Sequence, residues 1–204
     1  VYHWGALPEV ASPLARYWWH SAPGRHERAV AGHAALIATC LDEHRPLARD
    51  AGAEALLRPI GWMKLYADEA KMAAGLAQAE AARRDHGIAY RLLDGASLAA
   101  AEPHLLVERR GAIHFTDPVS VPDPHALTLA YARLFEAEGG RVLRGDARTL
   151  ARHGAGWRAR AADGAVEAAQ LVVALGAFAS EVTKPLGYAP PLFGKRGYHR
   201  HYGL

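Results

Sequence analysis

Several features are missing from the sequence, and their absence excludes some classes of structure and function. It contains one cysteine, Cys40, so these residues cannot form an internal disulfide; we expect a buried structural thiol and a cytoplasmic location. No apolar run approaches the ~20 residues that a membrane-spanning helix needs, so no membrane span is expected. Lys and Arg outnumber Asp and Glu by only 24 to 21, without a basic block interleaved with aromatic residues. Nucleic acid is therefore not an expected partner.

Metal-binding and nucleophile patterns are missing too. His199 and His201 have a spacing that can place two imidazoles on one face of a strand, but no third ligand follows at a recognisable spacing. No Gly-x-Ser-x-Gly sequence occurs, and Cys40 has no evident base near it in the sequence. We therefore expect neither a metal site nor a hydrolase with a serine or cysteine nucleophile.

Helix and strand patterns alternate along the chain. Asp123 followed by Pro124 predicts the start of the most strongly marked helix. Asp68 predicts the cap of another long helix, and Gly87 predicts its end. Three short strand patterns dominate the last third, with Asp163-Gly164 as a hairpin turn. The sequence therefore predicts an α+β (mixed α/β) fold.

Prolines mark the expected helix limits in the N-terminal part. Ser12 and Pro13 predict the cap and the first position of a short helix. Between residues 25 and 57 the pattern predicts two helices, the first of which ends or kinks at Pro46.

The two ends of the sequence predict that it is a fragment. It starts at Val1 without a methionine and ends in GYHRHYGL, where apolar and polar residues still alternate as in a strand. We therefore expect a piece of a longer protein, so that the absence of a Gly-x-Gly-x-x-Gly turn from these residues does not exclude nucleotide binding.

The segment LVVALGAFAS, residues 171–180, carries the strongest hint of a ligand site. Leu171–Leu175 predicts a parallel strand that stops at Gly176, and a helix begins near Phe178. A glycine lets the backbone approach a ligand without a Cβ, and the free amides of Ala177 and Phe178 would point at that ligand. Alternatively, Gly176 only makes a tight strand-to-helix turn. The sequence leaves both interpretations open.

The order of elements in the second half resembles that of the FAD-dependent amino-acid oxidase and dehydrogenase family, which contains D-amino-acid dehydrogenase, glycine oxidase and sarcosine oxidase. A long helix is followed by the strand EGGRVL, the hairpin GWRARAADGAVEA, the strand ending at Gly176, the helix AFASEVTKPLG and the strand KRGYH. LAAAEPHL is similar to the family's Glu-Pro motif, and GAIHFTDPVSVPDPHALTLAYARLF to its strand, loop and long helix. The resemblance covers residues 96–202, whereas residues 1–95 match only in general character.

The resemblance implies an antiparallel substrate-domain sheet with helices, plus part of an FAD-binding domain. Residues 1–138 would form a mainly helical portion of the substrate domain with strands near 60–66 and 111–116. Residues 139–187 would belong to the FAD domain, and residues 188–204 would return to the substrate domain as a strand.

The same resemblance implies a reaction, a cofactor and partners. Such enzymes oxidise the C–N bond of an amino acid by passing hydride from Cα to N5 of FAD. The expected partners are a small amino-acid substrate and the remainder of the FAD domain. The isolated 204 residues are expected to be inactive.

Candidate binding residues follow from the resemblance. It implies flavin dinucleotide binding at Gly176, Ala177 and Phe178, and adenine packing beside Ala147 and Arg148. Members of the family have a small apolar residue where this sequence has Arg148, which is a departure from the pattern.

The strand KRGYHRHY supplies the substrate candidates Tyr198, His199 and Arg200, because these enzymes orient the substrate carboxylate with an arginine and a tyrosine. No catalytic residue is identified. The arginine that anchors the carboxylate in the family would lie beyond Leu204.

Two alternatives remain open at this point. A related FAD enzyme would oxidise a secondary amine or glycerol phosphate, and a cluster of basic residues in its cavity would favour the phosphate. In a non-catalytic binding or interaction module, the aromatic N-terminal segment would be a docking surface. Exposure of Trp18 and Trp19 in an apolar patch would favour that class.

Overall fold

The computed structural model describes residues 7–106, 109–190, 192 and 197. The chain forms two compact units: a central unit, residues 23–140, and a terminal unit, which combines residues 1–22 with residues 141–204. In chain order the helices are α1 (Leu7–His20), α2 (Pro23–Ile37), α3 (Cys40–Asp50), α4 (Glu69–His86), α5 (Gly95–Ala101), α6 (Pro124–Ala137) and α7 (Ala179–Thr183). The strands are β1 (Trp62–Tyr66), β2 (Tyr90–Asp94), β3 (Gly111–Phe115), β4 (Gly145–His153), β5 (Gly156–Ala161) and β6 (Gly164–Ala168). Short 3₁₀ turns lie at Glu54–Leu56, Gly176–Phe178 and Lys184–Leu186.

An antiparallel sheet of order β1-β3-β2 organises the central unit. Side chains alternate between the two faces of a strand, so Ile113 and Phe115 of β3 point to the same side. On that side Ile113 is fully buried, together with Tyr66 of β1 and Ala79 of α4. This helix therefore covers one face of the sheet and closes one core of the unit.

Gly75 of α4 packs directly against the side chain of Tyr66 in β1. An added Cβ at this position would overlap the aromatic ring of Tyr66, which is buried. Glycine inside a helix costs about 1 kcal/mol relative to alanine, so its presence here is explained by the packing of the two elements.

The caps predicted for α4 and α6 are confirmed. The carboxylate of Asp68 accepts the N–H of Lys71 at 2.8 Å, and Gly87 ends α4 in the left-handed conformation with φ of 71°. Asp123 accepts the N–H of Ala126 at 2.9 Å at the start of α6. These caps depend on residues close in sequence, which is why local patterns predict them.

α6 builds a second core in the central unit. Leu127 and Ala130 pack with Ala53, which precedes the 3₁₀ turn at Glu54–Leu56. On the same helix, the Tyr131 hydroxyl lies 3.0 Å from Nδ1 of His44, which connects α6 with α3.

The terminal unit contains a second antiparallel sheet, of order β4-β5-β6. Its strands follow one another through short turns, and the hairpin predicted at Asp163-Gly164 is confirmed. The mixed α/β class, with antiparallel sheets and helices, is confirmed as well. None of the described helices is long and apolar enough to cross a membrane.

Two expectations about the N-terminal helices are wrong. Ser12 and Pro13 lie inside α1, which begins five residues before Ser12 and continues past the proline to His20. Pro46 likewise lies inside α3, and the break between the two helices falls at residues 38–39 instead.

Contacts within α3 explain why Pro46 does not end it. The contact of His44 with Tyr131 precedes the proline, and the fully buried Ala48 follows it, so tertiary packing holds both sides. At the first residue of the same helix, Cys40 is half-buried rather than buried.

The predicted parallel strand Leu171–Leu175 is not formed either. These residues have no regular secondary structure, and the side chain of Val172 is 87% exposed. A strand forms when a neighbour pairs with its N–H and C=O groups, and the described part of the chain pairs no strand with this segment. Residues 141–144, predicted as a strand in EGGRVL, precede β4 without regular secondary structure, although the carbonyl of Arg144 accepts the N–H of Ala162 at 2.8 Å.

Candidate functional site

Gly176 begins a 3₁₀ turn that leads directly into α7. Its φ is +53°, in the left-handed region that side chains with a Cβ rarely adopt. An added Cβ would meet no described atom within 4 Å. The glycine is therefore required by the conformation of the turn, and open space lies on the side where a side chain would be.

The amides of this turn differ from the expectation. The N–H of Phe178 donates to the carbonyl of Leu175 at 3.1 Å, so it is not free for a ligand. The reason is geometric: a 3₁₀ turn closes i→i+3 hydrogen bonds, which uses this donor internally. For the N–H of Ala177, the described residues provide no acceptor. The predicted pair of free amides is thus reduced to Ala177.

The side chains of Phe178 and Ser180 lie at or next to the turn. The Phe178 ring is 68% exposed. The Ser180 hydroxyl donates to the carbonyl of Pro190 at 3.0 Å and fixes the chain that follows α7.

The second pair of candidates, Ala147 and Arg148, lies where the ladder between β4 and β5 is interrupted. Asp146 pairs with Arg160 and Ala151 pairs with Arg158, so that residues 147–150 lie opposite one residue of β5. Such a bulge removes residues from regular pairing and bends the strand.

Hydrogen bonds within the bulge stabilise its shape. The Thr149 hydroxyl donates to the carbonyl of Asp146 at 2.6 Å and accepts the N–H of Arg160 at 2.9 Å. The carboxylate of Asp146 accepts the backbone N–H of Arg148 at 3.0 Å, which occupies one of the backbone groups expected to be available for adenine.

A charge pair holds the Arg148 side chain. Its Nε and Nη2 donate to the two carboxylate oxygens of Asp146 at 3.0 and 3.2 Å. The hydrogen bond from the Arg148 side chain is the main cause that lowers the pKa of Asp146, and the same bond raises the pKa of Arg148. The carboxylate of Glu181 in α7 adds to the raised pKa of Arg148.

The fold brings the two groups of cofactor candidates onto neighbouring elements. α7, which begins directly after Phe178, contacts β4, which carries Ala147 and Arg148. The influence of Glu181 on Arg148 agrees with that contact. The substrate candidates Tyr198, His199 and Arg200 lie outside the described residues.

One feature of the terminal unit is missing from the sequence-based candidates. A surface cleft of about 580 Å³ lies on the β4-β5-β6 sheet, with Arg158 and Arg160 in its lining. The carboxylate of Glu167 lies 3.6 Å from Arg158 and 3.5 Å from His153. The alternation of arginine with alanine in GWRARA was the available signal, because it places both arginines on one face of the strand. In the part of the chain that the structure describes, no group of three or more His, Cys, Asp or Glu residues is arranged to hold a metal ion.

Comparisons with known proteins connect this architecture with flavoproteins. The sequence model of the DAO family, described as "FAD dependent oxidoreductase", matches residues 10–203. Among solved structures, glycine oxidase from Geobacillus kaustophilus is similar with a TM-score of 0.59 and 22% identity, over 82% of this chain and 44% of that one. L-amino acid deaminase from Proteus vulgaris is similar with a TM-score of 0.55 and 20% identity, over 71% of this chain and 35% of that one.

A second glycine oxidase, from Bacillus cereus ATCC 14579, has a TM-score of 0.58 and 16% identity, over 77% of this chain and 43% of that one. At these identities the structures show a shared fold. The chain spans less than half the length of each of these three proteins.

Proposed function

Because the chain belongs to the FAD-dependent oxidoreductase family, we propose that it is part of an enzyme that oxidises the C–N bond of an amino acid. The observation that carries the proposal is the family match along residues 10–203, together with a fold shared with glycine oxidase and L-amino acid deaminase. Both of these neighbours are named for amino-acid substrates, which favours amino acids over the secondary amines and glycerol phosphate that related enzymes use.

FAD is the cofactor of the family, and we propose that the Gly176 turn contacts a part of it. The open space beside Gly176 would admit a ligand close to the backbone, and the N–H of Ala177 would donate to an oxygen of that ligand. The exposed ring of Phe178 would pack against its apolar parts. When bound, FAD accepts the hydride that leaves Cα of the amino acid.

The interrupted ladder at Ala147 and Arg148 would hold the adenine end. The Arg148 guanidinium forms an ion pair with the carboxylate of Asp146, and this ion pair fixes the position of the arginine side chain. We assign the contact with adenine to the backbone carbonyls of Ala147 and Arg148, because the Arg148 N–H already has a partner.

Tyr198, His199 and Arg200 would bind the amino acid itself. An arginine and a tyrosine recognise a carboxylate by charge and by hydrogen bonding, and holding the carboxylate fixes the orientation of Cα. In this proposal the protein mainly positions the substrate against the cofactor.

Reduction of the bound flavin by a panel of candidate substrates tests the proposal. The complete product of the gene that encodes this chain is mixed without oxygen with amino acids, N-methylated amines and glycerol phosphate, and the visible absorbance of the flavin is followed. We expect amino acids to bleach the flavin fastest, N-methylated amines to react more slowly, and glycerol phosphate not to react.

A further inference from the structure

The positive charge of the chain is concentrated around the β4-β5-β6 sheet. Residues 141–168 contain six arginines, no lysine and three carboxylates, so this stretch alone accounts for the formal charge of +3 of the whole chain. A local excess of one sign of charge attracts partners of the opposite sign. This sheet is therefore the place in the chain where an anionic ligand is expected.

Arg158 and Arg160 of β5 provide two guanidinium groups to the cleft on this sheet. β5 is the central strand and pairs with β4 on one side and with β6 on the other, so its backbone is held at both edges. Because side chains alternate along a strand, the two arginines lie on the same face, with their Cα atoms about 7 Å apart. Both are exposed, and several of the residues that line the cleft beside them are small: Ala151, Ala159, Gly164 and Ala165.

The guanidinium groups of these two arginines donate no hydrogen bond to any residue that the structure describes. Glu167 forms an ion pair with Arg158, but the 3.6 Å between its oxygen and Nε is longer than the ~2.7–2.9 Å of a charge-assisted hydrogen bond. Asp146 pairs with Arg160 in the ladder, yet its carboxylate already accepts the side chain of Arg148 at 3.0 and 3.2 Å. The donors of both guanidinium groups thus remain available to a ligand.

We propose that this cleft binds the diphosphate group of a small ligand. An arginine side chain presents planar, permanently charged donors whose geometry matches phosphate oxygens. Two guanidinium groups beside the single carboxylate of Glu167 leave the cleft positive, which favours a ligand with several negative charges over a monocarboxylate. The cleft volume of about 580 Å³ lies within the range of ~300–1,000 Å³ that is typical of small-molecule sites.

Isothermal titration calorimetry of the complete gene product, with and without bound FAD, tests the inference. The probes are inorganic diphosphate and uridine diphosphate. We expect saturable binding of both at one site per chain, with the same affinity in the presence of FAD and a lower affinity at high salt. Tighter binding of uridine diphosphate would identify a nucleotide as the source of the diphosphate, and tighter binding of inorganic diphosphate would identify the free ion. Because the heat of binding is measured and not the flavin, the result does not depend on the proposed oxidation.

Arg158→Gln/Arg160→Gln should weaken this binding by about tenfold or more, because it removes both guanidinium groups and their hydrogen bonds to a charged ligand. A matched control, Arg83→Gln/Arg84→Gln, removes two exposed guanidinium groups from α4 in the central unit and should leave the affinity unchanged. Circular dichroism of both double variants checks that they are folded. Acetate at equal ionic strength should not displace diphosphate, and displacement would contradict the preference for phosphate.

Three further results would overturn the inference. The first is that the complete gene product binds neither probe, since the rest of the protein would then cover the cleft. The second is that both double variants weaken binding equally, which would show a general effect of net charge. The third is that binding is lost when FAD is bound, since the cleft would then be part of the cofactor site.

Discussion

At the scale of single residues, Gly176 has two properties that the sequence pattern alone does not distinguish. Its positive φ makes it a conformational requirement, whereas the open space beside it makes it a candidate for ligand contact. Gly154, in the turn between β4 and β5, has a φ of 57° and equally open surroundings, but it is not a candidate for cofactor contact. The two glycines therefore form a matched pair.

We predict that Gly176→Ala and Gly154→Ala lower stability by a similar amount, about 1–2 kcal/mol, because alanine is strained in the left-handed conformation. Only Gly176→Ala should also weaken FAD binding, by about tenfold or more, because its Cβ occupies the space proposed for the cofactor. Thermal unfolding and FAD titration of the complete gene product measure the two effects. Equal FAD affinity of the two variants would leave Gly176 with a conformational role only.

Asp146 allows a prediction on pH. Its folded-state pKa is lowered, mainly by the hydrogen bond from the Arg148 side chain. A carboxyl group with a lowered folded-state pKa stabilises the protein fully above its unfolded pKa of ~3.9, and this contribution is lost as the pH falls through the folded-state value. Asp146→Asn should therefore lower the thermal midpoint near neutral pH and have a smaller effect at about pH 3.

Comparison with Asp163→Asn checks that result. Asp163 lies in the exposed turn before β6 and forms no hydrogen bond with the described residues, so its substitution should change the midpoint little at either pH. A deficit of Asp146→Asn that persists undiminished at low pH would contradict the assigned role of the carboxylate.

The Gly176 turn shows which features of the candidate site can be predicted from the sequence and which cannot. Gly176 is conspicuous in the sequence because it interrupts an apolar run just before a predicted helix. Which donors remain free depends on the turn type and on Pro190, which is ten residues from Ser180. The loss of the Phe178 amide as a free donor therefore required the structure.

At the scale of elements, the contact between α4 and β1 offers a test of the central core. We predict that Gly75→Ala destabilises the chain by about 1–3 kcal/mol, because the added Cβ overlaps the Tyr66 ring and overpacking costs this much. A helix position without that contact would gain about 1 kcal/mol from the same change. Chemical denaturation measures the sign.

A second substitution makes the test specific. Tyr66→Leu removes the ring atoms that the new Cβ would meet, so Gly75→Ala should cost less in the Tyr66→Leu background than in the unaltered chain. Equal costs in both backgrounds would show that the penalty comes from elsewhere.

The sequence predicts correctly those elements that depend on hydrogen bonds or turns between residues close together in the chain. The caps at Asp68 and Asp123 and the turn at Asp163-Gly164 involve residues within a few positions of one another. Strand formation at Leu171–Leu175 depends on a partner strand, and the continuation of α3 through Pro46 depends on packing around Ala48. Neither requirement is visible in a short stretch of sequence.

At the scale of the whole molecule, the resemblance seen in the sequence and the family match agree, and the order of elements was the informative signal. The division into a substrate-domain portion and an FAD-domain portion stays a prediction, as do the substrate roles of Tyr198, His199 and Arg200.

The most direct test of the account is to mix the complete, FAD-loaded gene product with one amino acid at a time without oxygen. Bleaching of the flavin is then measured over a single turnover. The account predicts that at least one amino acid bleaches the flavin, that its N-methylated analogue reacts more slowly, and that glycerol phosphate does not react. A flavin bleached by glycerol phosphate and by no amino acid would contradict it, and so would a purified product that binds no FAD.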